Sequence, residues 1–188
     1  MRYLTVLLLA LVFVVGDVHA QQGTYGVSLG GGPARALGDG SEDMNLGASL
    51  VGGVSYGITN NLRAVTDVSY TVIRIKDSVF EDTPFLYGGG TSIIGVTGGL
   101  RAGNASAPFE LFLQAGGGFS RVKTWVFAIN DIENVEKGGL LYVGGGVKIS
   151  FTNVFGLQLT ANYSRTMGVG EDAFEWMPVR LNLVFNTR

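Results

Sequence analysis

The stretch "LLYVGGGVKISF", residues 140–151, decides between two very different kinds of protein. Glycines followed by a lysine occur in backbone loops that hold phosphate, and they also occur in glycine-rich β-strands. Here the residues alternate between an apolar face, with Leu141, Val143, Val147, Ile149 and Phe151, and a polar or small face, with Tyr142, Gly144, Gly146, Lys148 and Ser150. A phosphate-binding loop needs the spacing GxxxxGK[ST] between a strand and a helix, and no helix pattern follows. The stretch is therefore predicted to be a β-strand.

The same period of two residues recurs along the chain. Each segment has one face that is more apolar than the other. The predicted strands are residues 24–32, 46–57, 62–74, 91–102, 109–119, 140–151, 155–165 and 177–186. Short turns alternate with longer polar loops, which are residues 33–45, 75–90, 120–139 and 166–176. All long loops then emerge at one end, as in an antiparallel up-and-down meander.

The N-terminal segment has a different character. A basic start precedes an apolar run from Leu4 to Val15, and small residues lead up to Ala20. The run is too short for a membrane anchor, which needs about 20 residues of helix. Residues 1–20 are therefore predicted to be a cleaved secretory signal peptide. Residues 21–188 are predicted to form a single domain.

Composition argues against several functions. The chain has no cysteine, and its one histidine, His19, lies in the predicted signal peptide. Disulfides and zinc–thiolate sites are thereby excluded, and neither a metal nor a cofactor is expected. A net charge of −2 disfavours a nucleic-acid partner. Charged residues make up only 15% of the chain, against about 25% in ordinary soluble proteins.

The distribution of charge indicates which face of the strands points outward. A soluble lipocalin-like barrel or a β-sandwich would bury the apolar faces and charge its exterior. After residue 20, however, every acidic residue except Asp67 and Glu110 lies in the four long loops. Strand charges lie on the polar faces, apart from a few arginines next to the loops. We therefore predict an all-β fold, an eight-stranded antiparallel up-and-down transmembrane β-barrel with apolar faces toward lipid.

Aromatic residues on the apolar faces fall near the two ends of the strands. Such girdles mark the membrane interfaces of barrels. The predicted lipid-interface aromatics are Tyr25, Tyr56, Tyr70, Phe109, Phe119, Phe151, Phe155, Tyr163, Trp176 and Phe185.

Charged residues on the polar faces predict an interior charge network. Its members are Arg63, Asp67, Arg101, Glu110, Lys148 and Arg180. Arg101 and Glu110 flank the turn at residues 103–108 almost symmetrically, so they are predicted to face each other across adjacent strands. The network would form a structural plug, because eight strands enclose little more than their own side chains. Six inward glycines would instead leave room for water and a narrow pore, namely Gly95, Gly99, Gly116, Gly118, Gly144 and Gly146.

The signal peptide, the eight alternating segments and the asymmetry of turns and loops resemble the small OmpA/OmpX-type outer-membrane barrels. The resemblance implies short turns in the periplasm and long loops outside a Gram-negative cell. It implies membrane lipids and lipopolysaccharide as partners of a monomer, with further surface partners for the acidic loops. Barrels of this family typically end on an aromatic residue, whereas here Phe185 is followed by three more residues.

The resemblance also frames the prediction of function. Enzymes on such barrels rely on histidine as a base, and residues 21–188 contain none. The acidic loops lack the EF-hand pattern for calcium. We expect a non-enzymatic protein that serves envelope integrity or surface interaction through its loops. The alternative is a small, porin-like diffusion channel gated by the interior charges.

Overall fold

The computed structural model describes residues 23–39, 41–79, 86–104, 108–128, 132–168 and 173–187. Two short 3-10 helices, Ser41–Asp43 and Asp77–Val79, accompany the strands. The strands are β1 Tyr25–Leu37, β2 Gly47–Gly57, β3 Leu62–Arg74, β4 Leu86–Asn104, β5 Phe109–Ala128, β6 Ile132–Ser150, β7 Phe155–Met167 and β8 Glu175–Asn186. Each strand pairs antiparallel with the next, and β1 also pairs with β8. The predicted up-and-down barrel is confirmed.

Side-chain exposure shows which face of the strands points outward. Leu113, Val143 and Leu159 are 48%, 55% and 47% exposed, whereas Glu110 and Lys148 are 7% and 2% exposed. The apolar faces therefore form the exterior and the polar faces line the interior, as the charge distribution predicts. A lipocalin-like barrel and a β-sandwich are both excluded.

The predicted loop at residues 120–139 is wrong. β5 continues to Ala128 and β6 begins at Ile132. The two strands form a long hairpin whose pairing runs from Val126 and Ile132 to Phe109 and Ile149. Charged residues stand on both faces here, which hid the two-residue period. Strands extend into the three other predicted loops as well. β1 reaches Leu37 and β4 begins at Leu86, while β7 reaches Met167 and β8 begins at Glu175. β4, β5 and β6 are thus the longest strands, and they extend the sheet on one side of the long-loop end.

Some predictions concern residues outside these ranges. The signal peptide at residues 1–20 is one, together with much of the loops around residues 81–85 and 169–172. Within the ranges that the structure describes, no helix has the length and apolar character to cross a membrane.

Candidate functional site: the barrel interior

The six predicted interior charges come from five strands. Arg63, Arg101, Glu110, Lys148 and Arg180 are all buried, and Asp67 is partly buried. Their inward orientation follows from the alternation of β3, β4, β5, β6 and β8. They do not form one continuous hydrogen-bonded network, however. The structure distributes them over three groups.

The prediction that Arg101 and Glu110 face each other across adjacent strands is wrong, although the two still interact electrostatically. Arg101 lies opposite Gln114 in the β4–β5 pairing, and Glu110 lies opposite Lys148 in the β5–β6 pairing. β4 continues through Asn104, which pairs with Leu111, so the hairpin is centred two residues later than the sequence symmetry suggests. A shift of two residues along a strand leaves a side chain on the same face of the sheet but places it opposite a different residue of the next strand.

The first group is centred on Arg101. Its Nη1 donates to Gln158 Oε1 at 2.7 Å, while Nε and Nη2 donate to Gln114 Oε1 at 3.1 and 3.0 Å. Gln114 Nε2 donates in turn to Asn162 Oδ1 at 2.9 Å. The guanidinium also lies 4.4 Å from the ring centroid of Phe112. This one side chain therefore connects β4, β5 and β7 across the interior.

The second group lies closer to the short turns. Lys148 Nζ is 4.0 Å from Glu110 Oε2 and donates to Asn186 Oδ1 at 3.4 Å. Arg63 interacts electrostatically with Glu110, and its buried Nη2 has no hydrogen-bond partner in the part of the chain that the structure describes. Sharing one carboxylate between two cations keeps a buried charge partly compensated.

The third group holds Arg180. Its Nε donates to Ser49 Oγ at 3.0 Å, and Ser49 Oγ is 2.9 Å from Thr71 Oγ1. Asp67 interacts electrostatically with both Arg180 and Arg101. It is therefore the charge that lies between the first and third groups.

The inward glycines accommodate large side chains from neighbouring strands. The hydroxyl of Tyr142 lies where a side chain at Gly99 would project, and its ring lies where one at Gly116 would. Phe112 occupies the same position beside Gly146. Leu140 lies beside Gly95, and Asn162 beside Gly144. Each of these five glycines therefore has a larger side chain beside it, and the room for water that the six glycines suggest stays a prediction.

An apolar cluster fills the interior toward the long-loop end, and the sequence analysis missed it. It consists of Ala34, Ala36, Ile73, Ile93, Val122, Leu140 and Trp176, with Met44 and Phe174 packed against it. Its members come from six different strands, so the cluster spans the barrel. The signal was present in the sequence, because Ile73 has the parity of Asp67 and Leu140 has that of Lys148.

Trp176 is a correction to the predicted interface aromatics. It is only 2% exposed and lies inside, with its ring centroid 5.9 Å from that of Phe174. On β8 it shares the inward parity of Arg180 and Asn182, both of which are buried.

The other nine predicted aromatics lie on the outer face. Near the short turns, ring centroids are 5.0 Å apart for Tyr25 and Tyr56, and 5.4 Å for Phe155 and Phe185. On β5, Phe119 follows Phe109 by ten residues. That separation is about 33 Å along the strand, or roughly 25 Å of height at a tilt of about 40°, which matches the apolar band of membrane barrels. Their location at a membrane interface remains a prediction.

No group of His, Asp and Glu side chains within the described ranges is arranged to hold a metal ion. No protein-family model matches the sequence, and no curated protein matches it.

Solved structures do share the fold. Neisserial surface protein A (NspA) has 16% identity, with 87% of this chain and 99% of that chain covered and a TM-score of 0.63. Ail of Yersinia pestis has 17% identity, with coverage of 89% and 100% and a TM-score of 0.57. OprG of Pseudomonas aeruginosa has 9% identity, with coverage of 92% and 100% and a TM-score of 0.58. The chain therefore has the fold of the OmpA/OmpX-type eight-stranded barrels, as the sequence resemblance implies.

Proposed function

We propose that the protein is a non-enzymatic integral outer-membrane barrel of a Gram-negative bacterium, which serves envelope integrity or surface interaction. One observation carries the proposal. Most leucines and valines of the strands are exposed, whereas Arg63, Arg101, Arg180 and Lys148 are buried in the interior, which is the reverse of a water-soluble protein. An apolar exterior of this kind is stable only against acyl chains.

The proposal includes a closed interior. Arg101 and its two glutamines cross the lumen in one layer, and the apolar cluster around Trp176 crosses it in another. Large side chains also fill the space beside the inward glycines. These layers support a structural plug over the alternative of a gated diffusion channel.

The long-loop end is proposed to face the cell exterior. In support, the predicted signal peptide would deliver the chain across the inner membrane. The extended hairpin of β5 and β6 carries charged residues at this end, including the exposed ion pair of Lys123 and Glu133 at 2.7 Å. Such a polar projection suits the aqueous side of a membrane and offers a surface for loop-mediated partners. Lipopolysaccharide would be its neighbour in the outer leaflet.

The first experiment tests membrane insertion. Protein purified from membranes in detergent should migrate faster on a gel unheated than after boiling, because a closed barrel resists unfolding. Recovery of the folded protein in the aqueous phase without detergent would refute the proposal.

The second experiment tests the plug in planar lipid bilayers. Wild-type protein is expected to give no conductance steps above baseline. Steps that respond to Glu110→Ala would support the channel instead. Trp176→Ala removes the largest side chain of the apolar cluster, so it is the single change most expected to produce conductance steps. Trp125→Ala, on the outer face, is its control.

A further inference from the structure

We propose that Arg121 and Lys137 form a site on the outer face of the barrel for the phosphate group of an anionic lipid. The acyl chain of that lipid would occupy the groove beside them. The inference rests on the proposed function, because only an inserted barrel presents this face to lipid.

The two cations are direct neighbours. Arg121 on β5 and Lys137 on β6 lie opposite each other in the strand pairing, and both are exposed. Ser120 and Val122, which flank Arg121, are buried on the inner side, so Arg121 points outward. Like charges directly opposite each other on one face destabilise a sheet. A bound anion would remove that repulsion.

Neither cation has a partner within the described part of the chain. Neither side chain forms a hydrogen bond or an ion pair there. The carboxylate of Glu133, on the same outer face, is already bound to Lys123 at 2.7 Å. On the other side, Arg121 lies opposite the apolar Ile94 of β4. Two adjacent cations without a partner among the described residues are the donors that a phosphate group prefers.

A groove of about 550 Å³ leads away from the cations. Ile94, Val96, Phe119 and Gly139 contribute to its walls. Phe119 is 79% exposed, and it lies opposite Gly139, which has no side chain to fill the space. A charged end and apolar walls match an amphiphile, whereas free phosphate would leave the walls uncovered.

The position along the strand fits a lipid head group. Arg121 lies two residues beyond Phe119, which is about 7 Å farther from the short turns. Phe119 marks the upper end of the apolar band that begins at Phe109. The cations therefore stand just outside this band, where head groups of the leaflet at the long-loop end would lie.

Lipid binding to the purified full-length protein in detergent can be measured by native mass spectrometry. The probes are diphosphoryl lipid A, the same lipid after removal of its phosphates, and inorganic phosphate. The test variant is Arg121→Gln with Lys137→Gln. The matched control is Arg35→Gln with Arg74→Gln, which removes two exposed rim cations that stand on separate strands, β1 and β3. Gel mobility before and after boiling verifies folding of each variant.

We expect wild type and the control variant to prefer the phosphorylated lipid equally. Loss of both site cations should weaken its binding about tenfold, the effect of roughly one charge-assisted hydrogen bond. Exchanging the two residues, as Arg121→Lys with Lys137→Arg, should retain binding because both charges remain.

Gly139→Leu tests the groove with both cations intact. The nearest side-chain atom to a new Cβ is the flexible end of Met167 at 3.3 Å, so folding is expected to survive. This variant should weaken lipid binding, and it supplies the test if the double variant does not fold. Equal loss in the control, no preference for the phosphorylated lipid, or competition by inorganic phosphate at lipid concentrations would overturn the inference. Failure of wild type to insert into membranes would refute the proposed function instead.

Discussion

Replacing Arg101 by methionine would show how much the interior hydrogen bonds stabilise the barrel. The side chain is 9% exposed, donates to Gln114 and Gln158, and stacks on Phe112. Methionine is flexible and comparably long, so it removes the donors and the charge while retaining much of the packing.

The structure sets the magnitude. Oε1 of Gln114 and Oε1 of Gln158 both lose their donor, and a buried acceptor left unpaired costs about 1–3 kcal/mol. Loss of the cation–π contact with Phe112 adds about 1 kcal/mol. Removing a charge from a low-dielectric interior offsets part of this. We expect the free energy of unfolding to fall by about 3 kcal/mol.

The measurement is urea unfolding of the protein in lipid vesicles, followed by gel mobility. Arg101→Lys should be intermediate, since lysine keeps the charge but loses the planar fork that reaches two acceptors. Arg35→Met, at an exposed position on the outer face, is the matched control. If Arg101→Met is as stable as wild type, or loses no more than Arg35→Met, the interior network does not stabilise the barrel.

Three further predictions use the same unfolding assay. Trp176→Ala should cost about 3–5 kcal/mol, because it leaves a cavity in the apolar cluster; Trp125→Ala, at a partly exposed outer position, should cost clearly less, and equal losses would contradict the cluster. Gly99→Val should destabilise by about 1–3 kcal/mol, because its side chain would meet Tyr142. Gly98→Val should be tolerated, since no atom lies within 4 Å of a Cβ there, so a reversed order would refute the assigned faces. Tyr142→Phe should leave stability unchanged or slightly higher, because the buried hydroxyl has no hydrogen-bond partner among the described residues.

The faces of the strands could be predicted from the sequence, because side-chain direction depends only on counting by two. Leu113 and Lys148 point where parity places them. Trp176 is inside, where its parity with Arg180 on β8 places it, although its aromatic character favours a membrane interface. The alternation along β8 is therefore enough to place this residue, whereas its amino-acid type is misleading.

Partners across the strands could not be predicted in the same way. They depend on where each hairpin turns. A shift of the turn by two residues leaves every side chain on its face but changes the residue that it meets on the neighbouring strand. Arg101 therefore lies opposite Gln114 instead of meeting Glu110. The extended hairpin was missed for a related reason. In this hairpin charged residues stand on both faces, as Lys123 and Glu136 do, so the sequence resembles a loop.

The glycines of "LLYVGGGVKISF" now have a physical explanation. In an eight-stranded barrel the interior has room for little more than its own side chains, so a large residue on one strand requires a small one nearby. Gly146 leaves space for Phe112, and the guanidinium of Arg101 stacks over the ring of Phe112. Tyr142, in the same stretch, takes the space left by Gly99 and Gly116. Gly144 and Gly146, the inward glycines of the stretch, are therefore packing positions. A wider lumen would require shortening these large partners, because the glycines themselves have nothing left to remove.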